Sequence, residues 1–223
     1  MPSLTLTTVT NKKNSERGRL LLEKESEKIE FLSPKTALID GCESYAQYNS
    51  DILFHSYEWF DTDFILFIQF DSRIINPAAW TDEFFEYDYI GAPWIWRIMK
   101  PQYSKGVGDA NRLVGNGGFS LRSRKLCELL ASDYVGRLPQ NESEDVFICQ
   151  NVRDELESEG IRFAPYEIAE TFSIENGVYT GQFGAHCAFF FNRKLYDMKK
   201  MSDDELDKAA NDVGDEFRAC AGI

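Results

Sequence analysis

The most distinctive pattern along the chain is the unbroken apolar run Phe64–Ile68, which is followed by Gln69, Phe70 and Asp71. A short apolar run bounded by polar residues predicts a strand that is covered on both faces, as in the middle of an α/β sheet. Ligands bind beyond the carboxyl ends of the strands in such sheets. The Asp71 carboxylate is therefore expected at a binding site, although a solvated aspartate after a buried strand is an equally simple interpretation.

Strand and helix patterns alternate through the first part of the chain. The β-branched residues 4–10 predict a first strand, and Ser15 is the expected cap of a charged helix over residues 15–28. Residues 36–39 predict a second strand, and residues 48–59 predict a second helix with apolar positions at helical spacing. The alternation predicts an α/β fold with a central mixed, mostly parallel sheet flanked by helices.

Shorter elements follow in the second half of the chain. The predicted strands cover residues 89–90, 119–121, 161–163 and 172–174, and the predicted helices cover residues 123–131 and 143–159. Residues 91–113 contain several glycines and prolines and predict a long loop, which in a compact domain is often functional. We expect one domain over residues 1–200, followed by an acidic C-terminal helix or connector to a further domain over residues 201–223.

Composition narrows the range of partners. A chain of 223 residues with 43% hydrophobic residues suits one domain with a substantial core, and its 17 phenylalanines predict a core rich in rings. The net charge of −13 repels phosphate backbones and anionic lipid, so it disfavours nucleic acid and membrane surfaces as partners. An anionic ligand would need a metal ion or a local basic pocket.

The cysteines and the N-terminus indicate a cellular compartment. Five scattered cysteines without CxxC spacing predict reduced thiols rather than a disulfide framework or a zinc site. The first eleven residues lack the long apolar stretch of a signal peptide, and no segment approaches the length needed to span a bilayer. The expected location is cytoplasmic.

Four groups of residues are candidates for chemistry: Gln69 with Asp71; Gly115, Asn116, Gly117 and Gly118; Glu144 with Asp145; and His186. A glycine turn lets the backbone approach a ligand because no Cβ intervenes, but it is also an ordinary tight turn before a strand. Acidic residues at a helix start commonly complement the helix dipole. A single histidine is more often structural than ligating, so each group alone is compatible with a purely structural role.

The order and company of these groups resemble a known family. Residues 87–94 (YDYIGAPW) and residues 114–122 (VGNGGFSLR), together with Asn49, the strand end at Gln69 and the acidic residues 144–145, are similar to GT-A-fold glycosyltransferase domains. The resemblance covers about residues 48–186. The two motifs are specific to the family, but neither specifies the sugar.

The resemblance implies roles for individual residues. GT-A enzymes carry an Asp-x-Asp at a strand end, a glycine-containing loop, an acidic pair and a late histidine, in this order. Asp71 and His186 are then the implied metal ligands, and Thr8, Gln69 and residues 115–118 are the implied contacts to a nucleotide-sugar donor. Gln69 departs from the pattern by replacing an aspartate: it retains a hydrogen bond to a ribose but adds no charge for a metal ion.

Charge gives a physical reason for a cation at such a site. A nucleotide-sugar donor carries a diphosphate, which an acidic protein repels unless Mn²⁺ or Mg²⁺ bridges the phosphates. A histidine ligand suits Mn²⁺ better than Mg²⁺. Asp145 is the expected base that takes the proton of the acceptor hydroxyl in an inverting transfer, and Glu144 is the alternative base or a ligand of the donor sugar.

Four further side chains have two interpretations each. Trp94 and Trp96 are candidates for stacking on an acceptor sugar, or they anchor the loop hydrophobically. Arg122 and Arg124 are candidates for pairing with phosphate, or they lie on an exposed helix start.

The sequence thus predicts a metal-assisted hexosyltransferase that uses a nucleoside-diphosphate sugar, with a UDP-sugar as first choice, and a hydroxyl of a glycan as acceptor. A sugar-phosphate nucleotidyltransferase is one alternative. It needs a basic, glycine-rich loop near the N-terminus, whereas residues 11–19 offer Lys12, Lys13 and Arg17 but a single glycine. A non-catalytic carbohydrate-binding domain is the other alternative, and Gln69 keeps it open.

Overall fold

A five-stranded sheet crosses the computed structural model, which describes residues 2–94, 110–140, 142–175 and 179–186. The strands of these residues are β1 (Leu4–Val9), β2 (Lys35–Ile39), β3 (Phe64–Ile68), β4 (Ser72–Ile74), β5 (Tyr89–Gly91), β6 (Phe119–Ser123), β7 (Ser173–Ile174) and β8 (Gly184–His186). The α-helices are α1 (Ser15–Lys28), α2 (Tyr45–Phe54), α3 (Arg124–Asp133), α4 (Glu144–Val146), α5 (Arg153–Ser158) and α6 (Tyr166–Phe172). Short 3-10 helices cover Lys12–Asn14, Glu30–Leu32, Ser56–Trp59, Pro77–Ala79, Asp82–Glu86 and Ala110–Leu113.

The main sheet is mixed and mostly parallel, as the sequence predicts. Its strand order is β2-β1-β3-β6-β5. β1 pairs in parallel with both β2 and β3, whereas β6 is antiparallel to both β3 and β5. Only β6 is therefore reversed among these five strands. A smaller sheet with the order β4-β8-β7 adjoins the carboxyl end of β3.

The central strand β3 is buried on both faces, which explains its unbroken apolar sequence. Leu66 packs into a cluster that includes Leu21 of α1, whereas Phe67 packs into another that includes Ile52 of α2. The alternation of side chains along a strand sends neighbours to opposite layers. Truncation of a buried ring such as Phe67, which is 2% exposed, is expected to cost roughly 3–5 kcal/mol of stability.

Aromatic rings fill much of the core, as the phenylalanine content predicts. Phe84 and Phe172 meet edge to face with their centroids 5.1 Å apart, and Phe119 lies 5.4 Å from Phe172. Phe183 contacts the same group, at 5.8 Å from Phe119. This cluster holds the two sheets together because its rings come from β6, α6 and the segment just before β8.

Several elements differ from the sequence expectation. The helix expected over residues 48–59 begins earlier, because the Ser44 hydroxyl accepts a hydrogen bond from the Gln47 backbone N–H at 3.1 Å and caps α2. The helix expected over residues 143–159 is divided into α4, a π-helical turn Phe147–Asn151 and α5. Residues 161–163 form only an isolated bridge to Tyr89 and not a strand.

Other expectations stand in part. α1 covers residues 15–28 as predicted, but Ser15 does not cap it, since its hydroxyl donates to Asp40 at 2.9 Å. Cys42, Cys127 and Cys149 are free thiols as expected. Trp96, Cys187, Cys220 and the C-terminal helix or connector predicted over residues 201–223 lie outside the described residues. Within the described ranges, no helix has the length and apolar character needed to cross a membrane.

Candidate active site

The carboxyl end of β3 and the glycine loop of residues 115–118 meet at one edge of the main sheet. They meet because β6, which follows the loop, runs antiparallel to β3 and pairs Ile68 with Phe119. The Gln69 backbone N–H donates to the Gly118 carbonyl at 2.9 Å, and the Ser72 hydroxyl donates to the same carbonyl at 2.7 Å. Two of the candidate groups are thus directly bonded to each other.

His186 joins this edge from the small sheet. Its strand pairs antiparallel with β4, in a register that sets His186 opposite Ser72. The Nε2 atom of His186 lies 3.1 Å from Oε1 of Gln69 and 3.5 Å from Oδ1 of Asp71. The fold therefore brings the late histidine against the end of β3, as the resemblance implies.

The other ring nitrogen of His186 has two neighbours. Its Nδ1 atom lies 2.8 Å from Nδ2 of Asn116 and 3.6 Å from Oε1 of Glu175. Asn116 reaches the ring from a left-handed backbone conformation with φ of 49°. Sequence reasoning missed Glu175, and the only signal was its position directly after the predicted strand of residues 172–174.

Electrostatics favour opposite charges on the histidine and its carboxylates. Burial by itself lowers the pKa of His186, but hydrogen bonds and charges from Asp71 and Glu175 raise the pKa well above its usual value. Burial by itself raises the pKa of Asp71, yet the hydrogen bond and charge of His186 leave that pKa below its usual value. Both shifts favour an imidazolium that faces the Asp71 carboxylate.

The glycines of the loop are required by the protein's own packing. A Cβ on Gly117 would lie 2.0 Å from Oε1 of Glu144, and a Cβ on Gly118 would lie 2.2 Å from Nε2 of His186. A side chain at either position must displace one of these groups. The sequence suggests that glycine here lets a ligand approach the backbone, whereas the structure shows that neighbouring site residues already exclude a side chain.

The two acidic residues at the start of α4 have different surroundings. Oδ2 of Asp145 accepts a hydrogen bond from the Gly117 backbone N–H at 2.9 Å, and the side chain remains partly exposed. Glu144 is buried, and its Oε1 accepts from Nη2 of Arg122 at 2.7 Å. Burial and the charge of Asp145 raise the pKa of Glu144 to about 7, while Arg122 opposes the shift.

Arg122 does not lie on an exposed helix start. It belongs to β6, where its side chain is 1% exposed. Its guanidinium carbon lies 4.6 Å from the centroid of Phe67 and 5.2 Å from that of Tyr89. The isolated arginine in an apolar strand, followed later by an acidic pair, was the available sequence signal for a buried ion pair.

Thr8 and Trp94 are the remaining candidates, and they differ in their contacts. Thr8 is at the carboxyl end of β1 with its side chain 1% exposed, and its Oγ1 has no hydrogen-bond partner among the described residues. Its methyl group faces α1, 3.3 Å from the position of a Cβ on Gly18. Trp94 covers the loop, since a Cβ on Gly115 would lie 2.1 Å from its ring.

The side chains at the edge fit a cation that binds together with a nucleotide. No group of three His, Cys, Asp or Glu side chains is arranged to hold a metal ion within the described part of the chain. Asp71 Oδ1 and Gln69 Oε1 nevertheless both lie within 3.5 Å of His186 Nε2. These three side chains would supply two oxygens and a ring nitrogen to a divalent cation, which would neutralise the charge of a bound phosphate.

One family model matches most of the chain. The model of a family described as "Protein of unknown function (DUF5672)" matches residues 28–186. No curated protein matches the chain at a significant level.

Two solved structures are similar along almost their whole length. One is the galactosyltransferase LgtC in complex with donor and acceptor sugar analogs, with 11% identity, a TM-score of 0.50, and coverage of 94% of this chain and 95% of that chain. The other is a glycosyltransferase involved in the glycosylation of the major capsid of PBCV-1, with 15% identity, a TM-score of 0.53, and coverage of 94% and 99%. At such low identity the likeness shows the fold, which is the expected GT-A fold.

Proposed function

The chain belongs to the DUF5672 family, and we propose that it is a glycosyltransferase. The proposed reaction transfers a sugar from a nucleoside-diphosphate sugar, in the first instance a UDP-sugar, to a hydroxyl group of a glycan. The observation that carries the proposal is the joining of three candidate groups at one sheet edge: the glycine loop bonds the end of β3 through Gly118 and bonds Asp145 through Gly117. The GT-A fold supports the same reading.

The donor diphosphate would bind at the end of β3. Asp71 and His186 would hold Mn²⁺ or Mg²⁺ there, with the Gln69 amide oxygen as a neutral third ligand. When bound, such a cation neutralises the diphosphate and stabilises the charge that develops on the leaving group. Arg17 adds local positive charge, because its guanidinium carbon lies 4.7 Å from the centroid of Phe70, which stands between Gln69 and Asp71.

Asp145 is the proposed general base. The Gly117 and Val146 backbone N–H groups bond its two carboxylate oxygens at 2.9 Å and 2.8 Å, which fixes the orientation of the carboxylate. In an inverting transfer the acceptor oxygen bonds the anomeric carbon while the bond to the phosphate oxygen breaks, and the hydroxyl proton passes to Asp145. The nucleoside diphosphate leaves with the electron pair.

Glu144 is the weaker candidate for the base. Its side chain is 4% exposed and is engaged by Arg122, so an acceptor hydroxyl has little access to it. Its Oε2 also accepts from the Asp145 backbone N–H. We therefore assign Glu144 to positioning Asp145 and the glycine loop, and we retain Asn116 and Thr8 as contacts to the donor.

A thermal-shift panel of nucleotide sugars with and without Mn²⁺, combined with a donor-hydrolysis assay, tests the proposal. We expect a nucleoside diphosphate to raise the melting temperature only when Mn²⁺ is present. Asp145→Asn is expected to retain this stabilisation and to lose hydrolysis, whereas Asp61→Asn, at a carboxylate that is 76% exposed, serves as the matched control. Unchanged hydrolysis in Asp145→Asn would exclude it as the base, and stabilisation by free sugars alone would favour a non-catalytic binding domain.

A further inference from the structure

A groove of about 750 Å³ lies beside the acidic pair, between α2 and the segment that links α3 to α4. Its lining residues lie between Tyr45 and His55 on one side and include Val135, Gly136 and residues 138–140 on the other. A helix of this length extends about 15 Å. The groove is therefore long enough for an oligosaccharide and not only for a single ring.

The wall of the groove contacts the backbone of the acidic pair. Asn49, in its wall, accepts a hydrogen bond from the Glu144 backbone N–H at 3.1 Å through its Oδ1. Glu142, also in its wall, precedes the acidic pair by two residues.

The lining has the chemistry of a sugar-binding surface. Tyr45 and Val135 are 64% and 60% exposed, which is high for large hydrophobic side chains. Glu58, Gln140 and Glu142 supply hydrogen-bond partners beside them. An aromatic face packs against the C–H face of a sugar ring, while carboxylates and amides bond its hydroxyls.

We propose that this groove binds the acceptor and that the acceptor is a neutral oligosaccharide whose terminal hydroxyl reaches Asp145. The inference rests on the proposed transferase function, which gives the groove its role. A neutral glycan is favoured because Glu58 and Glu142 line the groove and repel sialylated or sulfated glycans.

The test uses an array of neutral, sialylated and sulfated oligosaccharides with the whole chain in the presence of UDP and Mn²⁺, followed by calorimetry of the best neutral binder. Tyr45→Ala removes the stacking face, and Ala46→Trp fills the groove from an exposed position on α2. Phe31→Ala is the matched control, since Phe31 is 56% exposed and lies outside the groove. We expect Tyr45→Ala to weaken binding about tenfold, Ala46→Trp to abolish it and Phe31→Ala to leave it unchanged.

Several results would overturn the proposal. They are the absence of any neutral glycan that binds, equal binding by Ala46→Trp, a preference for acidic glycans, or a wild-type dimer that Ala46→Trp converts to monomer in sedimentation. Circular dichroism of each variant separates loss of binding from loss of fold. Metal-dependent UDP binding without any glycan binding would refute the groove and leave the transferase intact, whereas glycan binding without nucleotide binding would refute the transferase.

Discussion

The Nη2 atom of Arg122 donates to Oε1 of Glu144 at 2.7 Å, and the two side chains are only 1% and 4% exposed. The pair lies against the glycine loop, since a Cβ on Gly117 would fall 2.0 Å from the same carboxylate oxygen. The other oxygen of Glu144 accepts from the Asp145 backbone N–H. One buried ion pair therefore positions both the loop and the proposed base.

Loss of the arginine should be severe for stability. Arg122→Met leaves the Glu144 carboxylate buried without its partner, and breaking a buried pair in this way costs roughly 3–5 kcal/mol. Chemical denaturation of the wild type and the variant measures the difference. Arg19→Met is the control: its pairs with Glu16 and Glu23 are largely exposed and should leave the denaturation midpoint almost unchanged. Equal effects in the two variants would refute the importance of burial.

Stability should fall with rising pH through the titration of Glu144. Its pKa is raised from 4.5 to about 7, so between these values the folded chain holds a proton that the unfolded chain has released. The free energy of unfolding therefore decreases as pH rises through this window, by no more than about 1.4 kcal/mol per pH unit. Denaturant titrations of the wild type and of Glu144→Gln measure the effect. The free energy of unfolding of the wild type, relative to that of the variant, should decrease as pH rises from 4.5 to about 7. An increase of this relative free energy with pH would contradict the direction of the pKa shift.

A methyl group on the loop should disturb the histidine. Gly118→Ala sets a Cβ 2.2 Å from Nε2 of His186, so the ring must move away from Gln69 and Asp71. We expect a loss of roughly 1–3 kcal/mol of stability and weaker Mn²⁺ binding. Gly41→Ala, where an added Cβ meets nothing within 4 Å, is the matched control for both measurements. Full Mn²⁺ affinity in Gly118→Ala would show that the histidine position does not matter for the metal.

The charge of the proposed metal site should be adjustable at position 69. Gln69→Glu keeps the side-chain length and replaces the amide oxygen near His186 with a carboxylate, and the Tyr48 hydroxyl, now 2.5 Å from the amide nitrogen, is free to donate to it. Mn²⁺ affinity in the presence of UDP should rise about tenfold, an increment of about 1.4 kcal/mol, whereas Asp71→Asn should reduce it at least as much. Electron paramagnetic resonance of Mn²⁺ measures both, and an unchanged affinity in both variants would exclude this metal site.

The hydroxyl of Thr8 should matter for the donor and not for the fold. Its Oγ1 is buried without a partner among the described residues, so Thr8→Val removes an unpaired polar group and should maintain or slightly increase the melting temperature. We expect UDP binding to weaken several-fold if the nucleotide bonds this hydroxyl. Unchanged UDP affinity in a stable Thr8→Val protein would remove Thr8 from the donor site. Thr5→Val is unsuitable as a control, because the Thr5 hydroxyl bonds Thr62 at 2.8 Å.

The main strands and most helices could be predicted because their patterns are local. β3 was recognisable from five consecutive apolar residues, and α1 was predicted with its observed bounds. β4 and β8 were missed, since three-residue strands carry too little periodicity to be distinguished from loops. The helix after residue 143 was predicted as continuous, but the structure interrupts it with the π-helical turn Phe147–Asn151. Phe147, Ile148 and Cys149 of this turn pack into the core, and such packing is not visible in the local sequence pattern.

The sequence by itself determined the α/β class, the acidic character of the chain and the residue types available for a donor site, because these depend on composition and on patterns of neighbouring residues. Tertiary structure decided which of those residues meet. The antiparallel pairing of β6 with β3 brought Gly118 to Gln69, and the small sheet brought His186 between Asp71 and Glu175. It also gave the two adjacent acids different surroundings, since Glu144 is buried against Arg122 whereas Asp145 remains partly exposed. Gly118 is 49 residues from Gln69 and His186 is 115 residues from Asp71, so no local pattern in the chain records these contacts.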